Sequence, residues 1–279
     1  MELLRLNELS RASIIKRPSK YIKSPYVADI ILEDDDKEYL AHTPSLGCCG
    51  LSEKGCSVWV SKLGEKTKCD YRVELAEVQT KGNKIYIGIS PKNSELIAHN
   101  ALRYNLIQNL NTVSIVREKT LLNSRFDFMG KTDDDNYYIC EVKSVPLADY
   151  ANVSKTEREK MNFDDVGYDQ KISYFPDGYR ANKTKTVSER ALKHVKELII
   201  IKQKEPSIRC ILLFVIQRTD VKWFQPSRND QIYLDAIRDA WQNGVEIKCL
   251  QVEWDNKGVC KYYSNDLPIM LYDDCNLDL

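Results

Sequence analysis

The chain has 279 residues, enough for one large domain or two modest ones, and is 43% hydrophobic and 29% charged, a composition that supports a real core. Lys plus Arg and Asp plus Glu both number 41, so the net charge is zero, and any attraction for nucleic acid has to be local. The longest apolar run, Cys210 to Ile216, is too short to span a bilayer.

The N-terminal "MELLRLNELSRAS" is charged throughout and has no apolar signal region, so a cytoplasmic protein with reduced thiols is expected. Nine cysteines are present, but no CxxC pair and only three histidines. A zinc site built on Cys49, Cys56 and Cys69 is therefore not expected. The next stretch, Ser10 to Lys23, carries Arg11, Lys16, Arg17, Lys20 and Lys23 with no acid, and Tyr21 is interleaved. It reads equally as a strand-binding surface, with Tyr21 stacking on a base, or as a solvated basic arm.

From about residue 10 to 90 the pattern predicts short strands at "YVADIIL", "EYLAHT", "CSVWVSKL", "YRVELAEVQ" and "KIYIGIS", separated by turns such as "EDDDK" and "KGN". Five strands in this length fit an OB-like β-barrel. The period then changes. Leu96, Ile97, Ala101, Leu102 and Leu106 in "NSELIAHNALRYNLIQNL" have helical spacing. Strands are predicted at "VSIVRE", "SRFDFM" and "YYICEVKSV". Residues 146 to 186 read mostly as a polar loop or insertion. A helix is predicted after Ser188, a suitable N-cap, with Leu192, Val195 and Ile199 as its core stripe. "CILLFVIQ" reads as a strand buried on both faces. A helix from about Asn229 ends at Asn243-Gly244, and a last strand lies in "VEIKCLQVEW". The second half is thus predicted as an α/β domain with a mixed sheet, and the chain divides into 1–90 and 91–279.

Three charges interrupt the central strands. Glu141 and Lys143 are two apart and share a strand face. If "SRFDF" pairs antiparallel with "ICEVK", Asp127 lies opposite them. This set suits metal-assisted phosphodiester hydrolysis: Mg2+ or Mn2+ on Asp127, Glu141 and the Val142 carbonyl, with Lys143 orienting water or offsetting charge. A solvent-facing hairpin with a cross-strand ion pair would give the same spacing. A second basic cluster is formed by Arg180, Lys183, Lys185, Arg190, Lys193 and Lys196. Arg190 shares a helix face with His194, and Glu189 with Lys193. Such cations suit salt-sensitive, largely non-specific phosphate contacts.

Several motifs in order, "RPSKYI", "AHTPSLG", "SRFDFM", "YICEVKSV", "YFPDG", "SERALKHVKEL", "LFVIQR" and "NGVEIKCLQVEW", make the chain resemble the sugar fermentation stimulation protein A (SfsA) family over nearly its whole length. The resemblance implies an N-terminal OB-like barrel joined to a PD-(D/E)xK nuclease-like domain, and DNA as the partner, with RNA as an open second. It makes Asp127 and Glu141 metal-binding acids and Lys143 the catalytic lysine. Ser124 and Arg125 belong to the same motif. It places Asp177 near the site, adds Glu189, Arg190, Lys193 and His194 from the family's helix, and sets Gln217 at the end of the buried strand; Arg125, Arg190, Lys193 and His194 are expected at the nucleic acid. Oligomeric state stays open, a dimer included.

Three departures stand out. Many members carry a Glu on the first nuclease helix, where this chain has Asn100, and Glu95 is expected to face elsewhere. That leaves open a second function, a DNA-binding or transcriptional regulatory protein that keeps the nuclease fold without turnover. Two insertions, "VSKTEREKMNFDDVGYDQK" and "YRANKTKTV", border the expected site and could serve as a lid or a partner surface. The family's "PNxG" is "PSLG" here.

Overall fold

A computed structural model describes residues 1–44, 50–80, 82–176 and 186–272. The N-terminal third contains β1 (Glu2–Arg5), β2 (Leu9–Lys16), β3 (Val27–Leu32), β4 (Glu38–His42), β5 (Ser57–Lys62), β6 (Tyr71–Thr80) and β7 (Asn83–Gly88). The remainder contains α1 (Pro91–Arg103), β8 (Thr112–Leu121), β9 (Ser124–Thr132), β10 (Tyr137–Val145), β11 (Ala148–Asp149), a single turn α2 (Lys155–Arg158) and β12 (Lys171–Phe175). It closes with α3 (Glu189–Lys204), β13 (Arg209–Ile216), β14 (Val221–Pro226), α4 (Gln231–Gln242), β15 (Glu246–Trp254) and β16 (Val259–Ser264). Among the described residues no helix is long and apolar enough to cross a membrane.

All five strands expected before residue 90 form, and two more precede them. The basic arm from Ser10 is largely β2, whose alternation buries Ala12 and Ile14. Strands β2 to β6 pair in the order β4-β3-β2-β5-β6, and β4 also pairs with β6, so these five strands close on themselves. Ala28, Ile30, Val58, Val60, Val73 and Ile87 fill that region's core. Strand β1 does not join this ring but pairs with β16 in the second half.

The second half is built on parallel β10, β13 and β15, with β9 and β8 added antiparallel on one edge. Strand β13 is buried along nearly its whole length, as its apolar run predicts. Its alternation divides the core. Ile211, Leu213 and Val215 pack with Ile97, Ala101 and Leu102 of α1. Cys210, Leu212, Phe214 and Ile216 pack with Val195, Leu198, Tyr233 and Ile237 of α3 and α4. The result is helix, sheet, helix: a mixed α/β layer structure.

The segment read as loop between 146 and 186 holds β11, α2 and β12, and β12 pairs with β14 in a separate three-stranded sheet. Lys171 on β12 donates to Asp220, which also takes Arg218 Nε at 2.6 Å. A buried charge cluster therefore pins this segment to the domain.

Candidate functional site

The geometry begins where two strands part. β9 and β10 pair from Tyr137 opposite Lys131 to Cys140 opposite Phe128. The next residues are Asp127 on β9 and Glu141 on β10, close enough for their charges to interact. There the ladder gives way to a side chain: the Val142 N–H donates to Asp127 Oδ2 at 2.7 Å. An acid between two buried phenylalanines, Phe126 and Phe128, is held by this bond with its carboxylate turned into a cleft.

That cleft, about 650 Å³, is lined by Glu95, Asp127, Glu141, Val142, Lys143 and Arg190, among others. Tyr26, Leu147, Tyr174 and Phe175 form an apolar wall beside them. Glu141 is 2% exposed. Its Oε1 accepts from Lys143 Nζ and from His194 Nδ1. Its Oε2 is buried and has no hydrogen-bond partner among the described residues. Burial would raise the Glu141 carboxyl, but the Lys143 ammonium and the His194 hydrogen bond outweigh it and hold the group below the ordinary range. Asp127 goes the other way. Burial first, and the Glu141 charge second, push it up to about 6 against the Val142 N–H and Lys143. Two neighbouring carboxyls are thus driven apart in acidity, as expected where like charges share a site.

Glu95 faces a different direction from Asn100, as expected, but it is Glu95 that lines the cleft; burial raises its carboxyl, opposed by Arg117 at 3.7 Å and reinforced by Glu118 and Glu141. Its placement follows from how α1 is tied down. Ser94 accepts from Gln217 Nε2 at 2.7 Å, and Gln217 Oε1 accepts from Trp254 Nε1 at 2.8 Å. Asn93 donates to the buried Glu74 at 3.0 Å. A β-carbon at Gly88 would collide with Gln217 and Trp254, so the strand beside this knot needs a glycine. Asn100 faces the other way and donates to the Leu3 carbonyl at 2.6 Å, fastening β1 to the helix. Helical periodicity alone could not separate these roles. The useful signal was the polar trio Asn93, Ser94 and Glu95 in a first turn that begins at Pro91.

Nucleic-acid contact is the sequence-based expectation for His194. It is 5% exposed and lies between Phe126 and Glu141, so it acts behind the carboxylate rather than on the surface. Arg190 is exposed at the cleft edge. Lys193 reaches Asn123 O at 2.5 Å and Glu197 at 3.8 Å, rather than Glu189. Arg125 stands 3.4 Å from Glu118. Near the N-terminus, Arg11 is held by Glu77 at 2.9 Å and by Glu33, Arg17 by Ser52 at 2.6 Å and Glu53 at 3.5 Å, and Lys20 by Glu38. Lys16 and Lys23 are exposed. Much of the local positive charge expected between Ser10 and Lys23 is therefore already neutralised. Asp177, Arg180, Lys183 and Lys185 lie outside the described residues, as do Cys49 and all of "PSLG" after Pro44.

Among the described residues no group of three or more His, Cys, Asp and Glu side chains is placed to hold a metal ion. A cation here would rest on two carboxylates, a backbone carbonyl and water, which is the ligation Mg2+ prefers. The unpartnered Glu141 Oε2 fits that use: it is a buried acceptor with nothing to accept.

A family model described as the sugar fermentation stimulation protein RE domain matches residues 92–158 and 164–258. The sugar fermentation stimulation protein homolog of Clostridium tetani is 31% identical over 250 residues, covering 88% of this chain and 91% of that protein. The homolog of Clostridium acetobutylicum is 27% identical over 247 residues, covering 86% and 92%. In fold, the chain is similar to the structure of Pyrococcus furiosus SfsA in complex with Ca2+, with a TM-score of 0.74 at 17% identity over 97% of this chain and 99% of that one.

Proposed function

This chain belongs to the sugar fermentation stimulation protein family, and from that premise we propose that it is a divalent-cation-dependent nuclease of the PD-(D/E)xK kind acting on DNA. The observation that carries the reading is the convergence of Asp127, Glu141 and Lys143 on one cleft, with Glu141 Oε2 left without a partner. Asp127, Glu141 and the Val142 carbonyl would hold the cation, Mg2+ or Mn2+, with Glu95 close by. The Pyrococcus furiosus protein was solved with Ca2+, a hard cation of the same preference for oxygen ligands. Bound there, the cation supplies charge stabilisation at a phosphoryl oxygen and a more acidic water.

The chain's own residues do the rest. The Val142 N–H fixes the Asp127 carboxylate in the cleft. His194 holds Glu141 from behind and keeps it ionised. Lys143 is placed to orient the attacking water or to offset charge developing on the phosphate. Arg190 at the rim binds a phosphate, and the Tyr26, Tyr174 and Phe175 wall offers faces on which bases stack.

Residues 91–279 form the nuclease-like unit in this reading. Residues 1–90 supply an OB-like barrel, for which the closed pairing of β2 to β6 is the support, although β1 is lent to the second unit. The regulatory alternative rested on Asn100. Its bond to Leu3 gives that residue a structural task, and Glu95 supplies an acid in the cleft. The free thiols at Cys56, Cys69, Cys140, Cys210, Cys249 and Cys260 suit a cytoplasmic setting.

The test is cleavage of single- and double-stranded DNA with Mg2+ or Mn2+ by the full chain and by Asp127→Asn and Lys143→Ala. Loss of cleavage in both variants is expected. Equal cleavage by all three proteins would assign the activity to a contaminant.

A further inference from the structure

Behind the carboxylate cleft lies a second basin of about 400 Å³, lined by Ser124, Arg125, Arg190, Lys193, His194 and one acid, Glu189. Two side chains join the two cavities. Arg190 lines both. His194 lines the basin, and its Nδ1 is on Glu141 of the cleft. The basin therefore opens one side chain away from the carboxylates.

Its chemistry is that of an anion site. Three cationic side chains and one carboxylate line it, although Arg125 also stands 3.4 Å from Glu118 and Lys193 3.8 Å from Glu197 outside the basin. The Arg125 and Lys193 side chains are 59% and 51% exposed, so both can be reached from solvent. The second observation is Ser124. It is 4% exposed, at the first position of β9, and its hydroxyl has no hydrogen-bond partner among the described residues. A buried hydroxyl without a partner is costly, and native proteins seldom keep one without a use. A phosphate oxygen would accept from it while its other oxygens meet the guanidinium and ammonium groups.

We propose that this basin is a phosphate subsite, which takes a phosphate of the strand whose neighbouring phosphodiester lies in the carboxylate cleft. The assignment rests on the nuclease reading for its purpose but not for its measurement. Occupied, the basin fixes the register of the strand against Asp127 and Glu141. Phosphate contacts of this kind position the backbone and carry no sequence information. The phosphate comes either from a phosphorylated strand end or from the interior of a strand, since both present the same oxygens.

The experiment uses the full chain in EDTA, so that binding is read without cleavage. Inorganic phosphate is titrated and followed by phosphorus NMR line broadening for the wild type, Ser124→Ala, Lys193→Gln and a remote control, Lys257→Gln. Saturable binding is expected for the wild type and the control. Ser124→Ala, which removes a hydroxyl that bonds to nothing in the free protein, should weaken it about tenfold, the value of one hydrogen bond to a charged group. Lys193→Gln should weaken it as well. Binding that does not saturate, or that is equal in all four proteins, overturns the subsite.

A second arm compares short strands of one sequence with and without a 5′-phosphate. An advantage of the phosphorylated strand that Ser124→Ala abolishes identifies a terminal phosphate. Equal affinities, both lowered by Ser124→Ala, identify an internal one. No effect of Ser124→Ala on either strand overturns the proposal. Asp127→Asn separates the two readings, because it should keep phosphate binding while losing cleavage. Absent phosphate binding beside intact wild-type cleavage would sink the subsite alone. Phosphate binding without any cleavage would sink the nuclease reading alone.

Discussion

Asp127 accepts the Val142 N–H at 2.7 Å, so a carboxylate on β9 replaces the next rung of the β9–β10 ladder. This bond fixes one acid, while Lys143 and His194 hold the second. It also holds Asp127 where burial and Glu141 oppose its ionisation.

The first prediction follows from that opposition. Asp127 is raised to about 6 in the fold, from an ordinary value of 3.8. The folded protein therefore holds this proton more tightly than the unfolded chain. Its contribution to stability is full below pH 4 and is lost as pH rises through about 6, a change on the order of 3 kcal/mol. Asp127→Asn keeps an acceptor for Val142 and removes the charge. Metal-free unfolding in urea at several pH values should show the variant more stable than wild type at pH 7 and no more stable at pH 4. Equal stability at both would refute the assignment.

Cation binding has the opposite dependence. A cation needs the ionised carboxylate, so affinity for Mn2+ should fall as pH drops through about 6, because a proton competes for Asp127. Titration calorimetry at pH 5 and pH 7.5 reads this directly. An affinity unchanged across that range would contradict the role given to Asp127.

His194 positions Glu141. His194→Ala leaves a buried carboxylate with one partner fewer, at a cost of about 1–3 kcal/mol by urea denaturation. His194→Asn, which can still donate, should recover part of the loss. If both variants are as stable as wild type, the contact with Glu141 is incidental.

Asn100 should behave as a structural residue. Asn100→Ala removes the hydrogen bond to Leu3 O and should destabilise the protein by about 1 kcal/mol while leaving Mn2+ affinity unchanged. Asn100→Glu should not strengthen cation binding, whereas Glu95→Gln should weaken it. A gain at Asn100→Glu would restore the idea that this position belongs to the site.

The main elements were legible because their patterns are strong. Strand β13 is an unbroken branched apolar run, and α3 has both a stripe and the Ser188 cap, whose hydroxyl accepts the Ala191 N–H at 3.2 Å. Asp127, Glu141 and Lys143 were legible because charge inside a strand pattern needs a reason. What failed did so for physical causes. Positive charge hid the alternation of β2. β12 and β14 are short strands of five and six residues, so their signal was lost among polar neighbours. The partners that neutralise Arg11 come from residues 33 and 77, and no local pattern announces a long-range ion pair. Glu95 was missed because its direction is set by Gln217 and Trp254, far along the chain.

The most direct measurement is a crystal of the full chain soaked in Mn2+ and examined for anomalous scattering. The account predicts a peak at coordination distance, about 2.0–2.2 Å, from a carboxylate oxygen of Asp127 and from Glu141 Oε2, absent in Asp127→Asn. No peak in the cleft at saturating Mn2+, or one that Asp127→Asn leaves unchanged, would contradict it.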